Sequence, residues 1–323
     1  MSSVRLLRCM HVSDLSKQTF RGFSVSTASR KAFLHNVTVI GSGHMGTGIA
    51  QNAGVAGNNV IIADLSQSSL DRSRKRIEDR LLKVTSKKLK GKSEEEIKIS
   101  LRTTLEKFKW TTDIVEATST SDLVVESIPE RIELKHKLFA QLDKIAPTAT
   151  IFATNTSSIP VNEIAQAVST ERRKNFGGTH FFDRDVKLVE VVRTGDTSNE
   201  TFHKLMEWGT YIGKVPVACK DTPGFIANRL NLPYFINAVK MYERGDAEMR
   251  DIDMAMKLGA GYPFGPFELA DHIGLDTLYD IIQGWQTRFP NEESFRCPEI
   301  ISRLYKEGKF GRKSGEGFFK YNI

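Results

Sequence analysis

Cysteine is scarce in this chain. Its three residues, Cys9, Cys219 and Cys297, lie too far apart for a CxxC pair or a metal-ligand cluster. That spacing excludes a disulfide scaffold and a structural zinc site, and fits inert thiols or a reducing compartment. No stretch approaches the roughly 18 apolar residues that cross a bilayer. The first thirty residues also lack the unbroken apolar core of a secretory signal. After residue 31 there is neither an internal repeat nor a low-complexity tract. Acids are nearly absent from the N-terminus, where Arg5, Arg8, Lys17, Arg21, Arg30 and Lys31 face only Asp14, so five of the seven net positive charges sit there. The rest of the chain is close to neutral, and a nucleic-acid partner inferred from overall charge has no basis.

What is present in those first 31 residues is Ser and Arg with scattered Val, Leu and Phe, the composition of a mitochondrial transit peptide. Arg21-Gly22-Phe23-Ser24 looks like a matrix-processing site, so the mitochondrial matrix is the expected location; an unstructured tail is the alternative reading. From His35 the texture changes. Val37-Thr38-Val39-Ile40, a glycine cluster, a helical pattern and Val60-Ile61-Ile62-Ala63-Asp64 form a βαβ unit of about thirty residues. Residues 69–110 read as two charged helices broken at Lys90-Gly91-Lys92-Ser93, an insertion. Further strands are expected at Leu123–Glu126, Thr150–Thr154, Gly178–Phe182, Leu188–Val192 and Val215–Ala218. The fold class is therefore α/β: a doubly wound, mostly parallel Rossmann sheet over 35–219 with an inserted helical hairpin at 69–110. Lys220-Asp221-Thr222-Pro223-Gly224 marks a boundary, and 220–323 reads as an all-α second domain.

Gly41-Ser42-Gly43-His44-Met45-Gly46 is a GxGxxG between strand and helix. The first glycine permits the tight turn, the second lets backbone approach a pyrophosphate, and the third lets helix pack on strand. The phosphates would rest on the positive end of the helix. Asp64 ends the second strand 18 residues after Gly46, placed to accept from a ribose 2′-hydroxyl and to repel a 2′-phosphate. NAD rather than NADP is the expected cofactor; Arg72 and Arg74 lie nearby, but Leu65-Ser66-Gln67 offers no base where a 2′-phosphate would sit.

The motifs VIGSGHMGTGIAQ, LVVESIPE, IFATNTSSIP, GTHFF, KLVEVV, CKDTPGFIANRL, YERGDA, LGAGYPFGPFELAD and KFGRKSGEGFFKY span nearly everything after His35. Through them the chain resembles the mitochondrial short-chain L-3-hydroxyacyl-coenzyme A dehydrogenase family of fatty-acid β-oxidation. The resemblance implies NAD-dependent oxidation of (S)-3-hydroxyacyl-CoA to 3-oxoacyl-CoA. It makes His180 the general base, oriented and charged by Glu190; on its own, His180 between Thr179 and two phenylalanines reads first as a buried core histidine. It assigns Ser157 and Asn228 to the substrate oxygen and Glu130, Lys135, Ser157 and Lys313 to the cofactor. Lys87, with Ser157 and the position occupied by Arg80, goes to the coenzyme A thioester. The hairpin between Arg72 and Lys92 holds ten basic residues against Glu78 and Asp79, which suits a phosphate-bearing substrate or simply a solvated face. The resemblance also implies a homodimer through the helical domain.

The chain departs from that family in two places. Arg80 stands where the family has serine, and the family's Asn-Pro-Val-Pro-Val-Met loop is replaced by Asp183-Arg184-Asp185-Val186, two residues shorter. A two-residue loss within a strand keeps side chains on their faces, so His180 and Glu190 can still meet. Two rivals stay open: a dehydrogenase of a free hydroxy acid, and an NAD-binding relative impaired in catalysis.

Overall fold

A computed structural model describes residues 34–322, apart from the side chain of Lys88; the expected transit peptide lies outside them. These residues divide into two compact units, one ending at Ile226 and one beginning at Ala227.

The first unit is built on eight strands: β1 (Asn36–Ile40), β2 (Asn59–Ala63), β3 (Phe108–Thr111), β4 (Leu123–Glu126), β5 (Ile151–Thr154), β6 (Phe176–Phe181), β7 (Leu188–Arg193) and β8 (Val215–Lys220). They lie in the order β3-β2-β1-β4-β5-β6-β7-β8. All pairs are parallel except β6 with β7. β4 and β5 are buried at every residue, as expected for strands covered on both faces. One face packs Ile49, Leu70, Leu205 and Trp208 over the sheet, the other Phe139, Phe152, Val161 and Phe176. The strand order reverses between β1 and β4, and a crevice for a nucleotide opens at the carboxyl ends of strands at such a point.

Helix α1 (His44–Ala56) follows β1 directly and stops at Gly57, whose φ of +112° only glycine adopts without strain. The insertion forms α2 (Gln67–Lys88) and α3 (Glu94–Leu105), the latter started by a capping box of Ser93 and Glu96. It ends earlier than the sequence suggests, because Phe108–Thr111 is an edge strand on β2. Four residues with Lys109 exposed merge by eye into a charged helix. Packing decides otherwise: a Cβ on Gly54 would lie 2.1 Å from the Phe108 ring, and Phe108 stacks on Trp110.

The second unit is helical, with a core of Phe235, Ile236, Phe267, Ile282, Trp285 and Phe295. β8 runs to Lys220, just ahead of the Pro-Gly signal, and the first unit continues to Ile226, a few residues past the boundary expected after residue 219. The reason is Asp221, whose carboxylate accepts from the backbone N–H groups of Val161 and Asn162 and ties this segment to the first unit. Among the described residues no helix is long and apolar enough to cross a membrane, and no His/Cys/Asp/Glu cluster could hold a metal.

Candidate active site

The glycine turn leaves β1 where Gly41 donates to the carbonyl of Ala63 at 2.8 Å, with φ +103°. A Cβ on Gly41 would lie 2.3 Å from the Ser127 carbonyl oxygen and one on Gly46 1.9 Å from that of Gly41, so turn and helix close up only with glycine at both. Gly43 differs: a Cβ there would meet nothing within 4 Å. It faces open space at the N-terminus of α1, which has no side-chain cap and no acid in its first turn. An uncapped helix end beside an open glycine suits a pyrophosphate. Ser42 donates to Asp64 Oδ2 from its backbone (2.8 Å) and its hydroxyl (2.6 Å), and Ser66 N–H donates to Oδ1. Burial pushes the Asp64 carboxyl up, but these hydrogen bonds outweigh it and hold the group below its ordinary value. A charged acceptor therefore stands at the end of β2. His44 is exposed, its Nε2 3.4 Å from Asp183, while Met45 packs against the core.

His180 and Glu190 are directly opposed in the β6–β7 ladder. His180 Nδ1 lies 2.7 Å from Glu190 Oε2, and both residues are almost wholly buried. A carboxylate can only accept, so Nδ1 carries the proton and Nε2 is left to take another. Glu190 Oε1 accepts from the backbone N–H of Ile226 at 3.0 Å. The preceding residue, Phe225, has φ +51° and is the sole non-glycine with positive φ among the described residues. This strained turn aims that N–H at Glu190. The rings of Phe182 and Phe225 flank the imidazole, with centroids 4.4 and 5.5 Å away. Asn155 Oδ1 accepts from Phe181 N–H, joining the loop after β5 to the strand that carries His180.

The loop bearing Ser157 is folded around Glu130. Glu130 Oε1 accepts from the hydroxyls of Thr156 and Ser158 and from the N–H groups of Ser157 and Ser158, all within 3.1 Å. Beneath it lies Lys135, 1% exposed, with its ammonium 2.7 Å from Glu126 and 3.1 Å from Glu130. Glu126 is fully buried and also accepts from Thr154 Oγ1 and Ile128 N–H. Burial alone would raise the Glu130 carboxyl, but the Lys135 charge and the Thr156 and Ser157 hydrogen bonds keep it below its usual range.

On α2, Lys87 is exposed, whereas Arg80 donates to both carboxylate oxygens of Asp185 at 2.6 and 2.7 Å. The two departures noted in the sequence thus touch each other. In the second unit, Asn228 is half-buried in the first turn of the helix Ala227–Glu243, and Lys313 pairs with Asp276 at 2.6 Å.

Residues 36–222 match the family model described as 3-hydroxyacyl-CoA dehydrogenase, NAD binding domain, and residues 224–321 match 3-hydroxyacyl-CoA dehydrogenase, C-terminal domain. The chain belongs to the 3-hydroxyacyl-CoA dehydrogenase family. It is 46% identical over 314 residues to the pig (Sus scrofa) protein named hydroxyacyl-coenzyme A dehydrogenase, mitochondrial, covering 95% of this chain and 98% of that one. It is 44% identical to a probable 3-hydroxyacyl-CoA dehydrogenase of Caenorhabditis elegans, over 92% of this chain and 96% of that one. Among solved structures, (S)-3-hydroxybutyryl-CoA dehydrogenase from Ralstonia eutropha superposes with a TM-score of 0.82 at 32% identity, covering 90% of this chain and 100% of that one.

As a 3-hydroxyacyl-CoA dehydrogenase family member the chain has NAD as its cofactor. The open Gly43 turn and the ionised Asp64 fit that dinucleotide, the latter disfavouring a 2′-phosphate. Sequence reading did not single out Glu126, Asn155 and Ile226, which the structure brings against the candidate residues Lys135, the His180 strand and Glu190. Asn155 and Glu126 both follow from an available signal, namely a polar residue at the carboxyl end of a buried parallel strand. The Ile226 contribution is a backbone N–H and leaves no trace in the side-chain pattern.

Proposed function

We propose that this chain catalyses the NAD-dependent oxidation of (S)-3-hydroxyacyl-CoA to 3-oxoacyl-CoA in the mitochondrial matrix. The observation that carries the reading is the buried His180–Glu190 contact, which leaves Nε2 as proton acceptor. Bound NAD⁺ supplies the hydride acceptor. His180 Nε2 takes the proton of the substrate hydroxyl, and Glu190 stabilises the imidazolium that results. Ser157 and Asn228 are assigned to donate to the substrate oxygen, where negative charge accumulates in either direction. The turn Gly41–Gly46, including Ser42, His44 and Met45, and Asp64 are assigned to the dinucleotide, with Glu130 and Lys313. Lys135 serves that site through Glu130, whose charge it balances. Mitochondrial relatives support a mitochondrial location. The exposed Leu230, Met254 and Leu258 of the helical unit support a homodimer through that unit.

The basic face of α2, with Lys87 and Arg80, supports docking of the coenzyme A phosphates. Acetoacetyl-pantetheine, which keeps the reacting thioester but lacks the nucleotide, tests this directly. Loss of one or two charge-assisted hydrogen bonds, about 1.5–3 kcal/mol each, raises KM at least roughly tenfold relative to acetoacetyl-CoA. The difference shrinks at high salt. Equal KM values for both thioesters would remove the hairpin from substrate binding, and turnover of free acetoacetate alone would make the chain a dehydrogenase of free acids.

Asp64→Ala removes the acceptor for the ribose hydroxyl. KM for NAD⁺ is expected to rise roughly 10- to 100-fold, and discrimination against NADP⁺ to narrow, both read from initial rates with each nucleotide.

A further inference from the structure

The segment between β6 and β7 has no hydrogen-bonded regular structure of its own, yet it closes the hairpin that carries His180 and Glu190. The ladder ends at the pair Phe181 and Val189, a single step beyond the pair His180 and Glu190. Ladder ends open first unless something outside holds them. The strands on either side are held, β7 by β8 from Leu188 onward and Phe181 by Asn155, but the loop that joins them needs a tie of its own.

That tie comes from Lys214. It follows Gly213, a left-handed residue at φ +80°, just before β8, and is only 7% exposed. Its ammonium donates to three carbonyls of the loop, those of Asp183 (3.5 Å), Arg184 and Val186 (2.7 Å). An ammonium has three donors, and all three are spent on one short stretch of backbone. The loop is seated from the other side by α1. Asn52 Nδ2 donates to the Arg184 carbonyl at 3.2 Å, and a Cβ on Gly48 would lie 3.0 Å from the Cβ of Arg184, so the two backbones are in close approach. By contrast the Arg80–Asp185 pair lies at the surface, with Arg80 half-buried and Asp185 exposed, and is of a kind that contributes little, about 0–1 kcal/mol.

We propose that Lys214 is a positioning residue of the dehydrogenase reaction: by gathering the loop carbonyls it fixes the end of the β6–β7 ladder and so holds His180 against Glu190. The assignment rests on the reading of His180 as the proton acceptor. Lys214 touches neither His180 nor Glu190, and its effect passes through the backbone between them. Small misplacements of a reacting group cost up to about a hundredfold in rate.

The test is a double-mutant cycle in the full chain, with acetoacetyl-CoA and NADH as substrates. Lys214→Met is expected to lower kcat roughly 10- to 100-fold, with NADH affinity, followed by nicotinamide fluorescence, changed less than about threefold. In the Glu190→Ala background, where His180 has lost its cross-strand partner, the same substitution is expected to cost less than about threefold, because residues acting as a unit are not additive. An equal loss in both backgrounds, or an unchanged kcat in the first, overturns the assignment. Should Lys214→Met fail to fold, Lys214→Gln, which keeps two donors without the charge, runs through the same cycle with the same criteria. Absence of turnover in the unsubstituted chain would instead sink the dehydrogenase reading, and this assignment with it.

Discussion

Replacing His180 with glutamine lowers kcat for the reduction of acetoacetyl-CoA about 10²- to 10⁴-fold, the range attributable to a positioned general acid or base. Glutamine can still donate a hydrogen bond to Glu190 but cannot carry the proton. The chemistry is lost while the pocket between Phe182 and Phe225 stays filled. NADH binding, which depends on the glycine turn and Asp64, should be nearly unaffected. Glu190→Gln is expected to fall in the same range by a different route. The imidazole keeps its place but loses the charge that stabilises its protonated form, and the Nδ1 proton is no longer fixed by an acceptor-only partner. A fall of less than threefold for His180→Gln would move the proton transfer to another group.

The second large effect is on stability. Lys135→Met leaves Glu126, fully buried, and Glu130 without their shared cation. Breaking a buried ion pair by removing one partner costs about 3–5 kcal/mol, because an uncompensated charge remains inside. For a unit of this size that corresponds to a melting temperature lower by roughly 6–20 °C. The loop containing Ser157 should also loosen, since Glu130 holds it through four hydrogen bonds. Adding Glu126→Gln to Lys135→Met should recover part of the loss. The pH dependence has a defined sign. The Glu130 carboxyl is held below its usual 4.5 in the folded chain, so its ionised form contributes stability above that value and loses it as pH falls through the lowered one. Lys135→Met removes the main opposing charge and should weaken this acid-side dependence, measurable by thermal melts between neutral pH and about pH 3.

These sites differ in how visible they are beforehand. The glycine turn and Asp64 are legible because their chemistry is local: strand, turn and helix are contiguous, and each glycine answers a steric demand. The cross-strand placement of His180 and Glu190 is the arrangement that a period of two allows, even with a loop shorter than the family's. Lys135 is different. The family resemblance puts it at the cofactor, and only the fold brings Glu126, from the end of β4, against it and buries both. Lys214 is hidden for a related reason, since its partners are backbone carbonyls about thirty residues away that no side-chain pattern encodes. Strand β3 was lost to its shortness and to its exposed Lys109. The contact between Arg80 and Asp185 joins positions 105 apart, and neither residue alone signals the other.

The measurement that bears most directly on the account is steady-state oxidation of NADH by the purified full chain with acetoacetyl-CoA, beside an independent titration of NADH binding. Sustained turnover is expected, and it stops when acetoacetyl-CoA is replaced by free acetoacetate. Tight NADH binding with no turnover of the thioester would contradict it: the short loop would then have left His180 and Glu190 in contact but unable to act on a substrate.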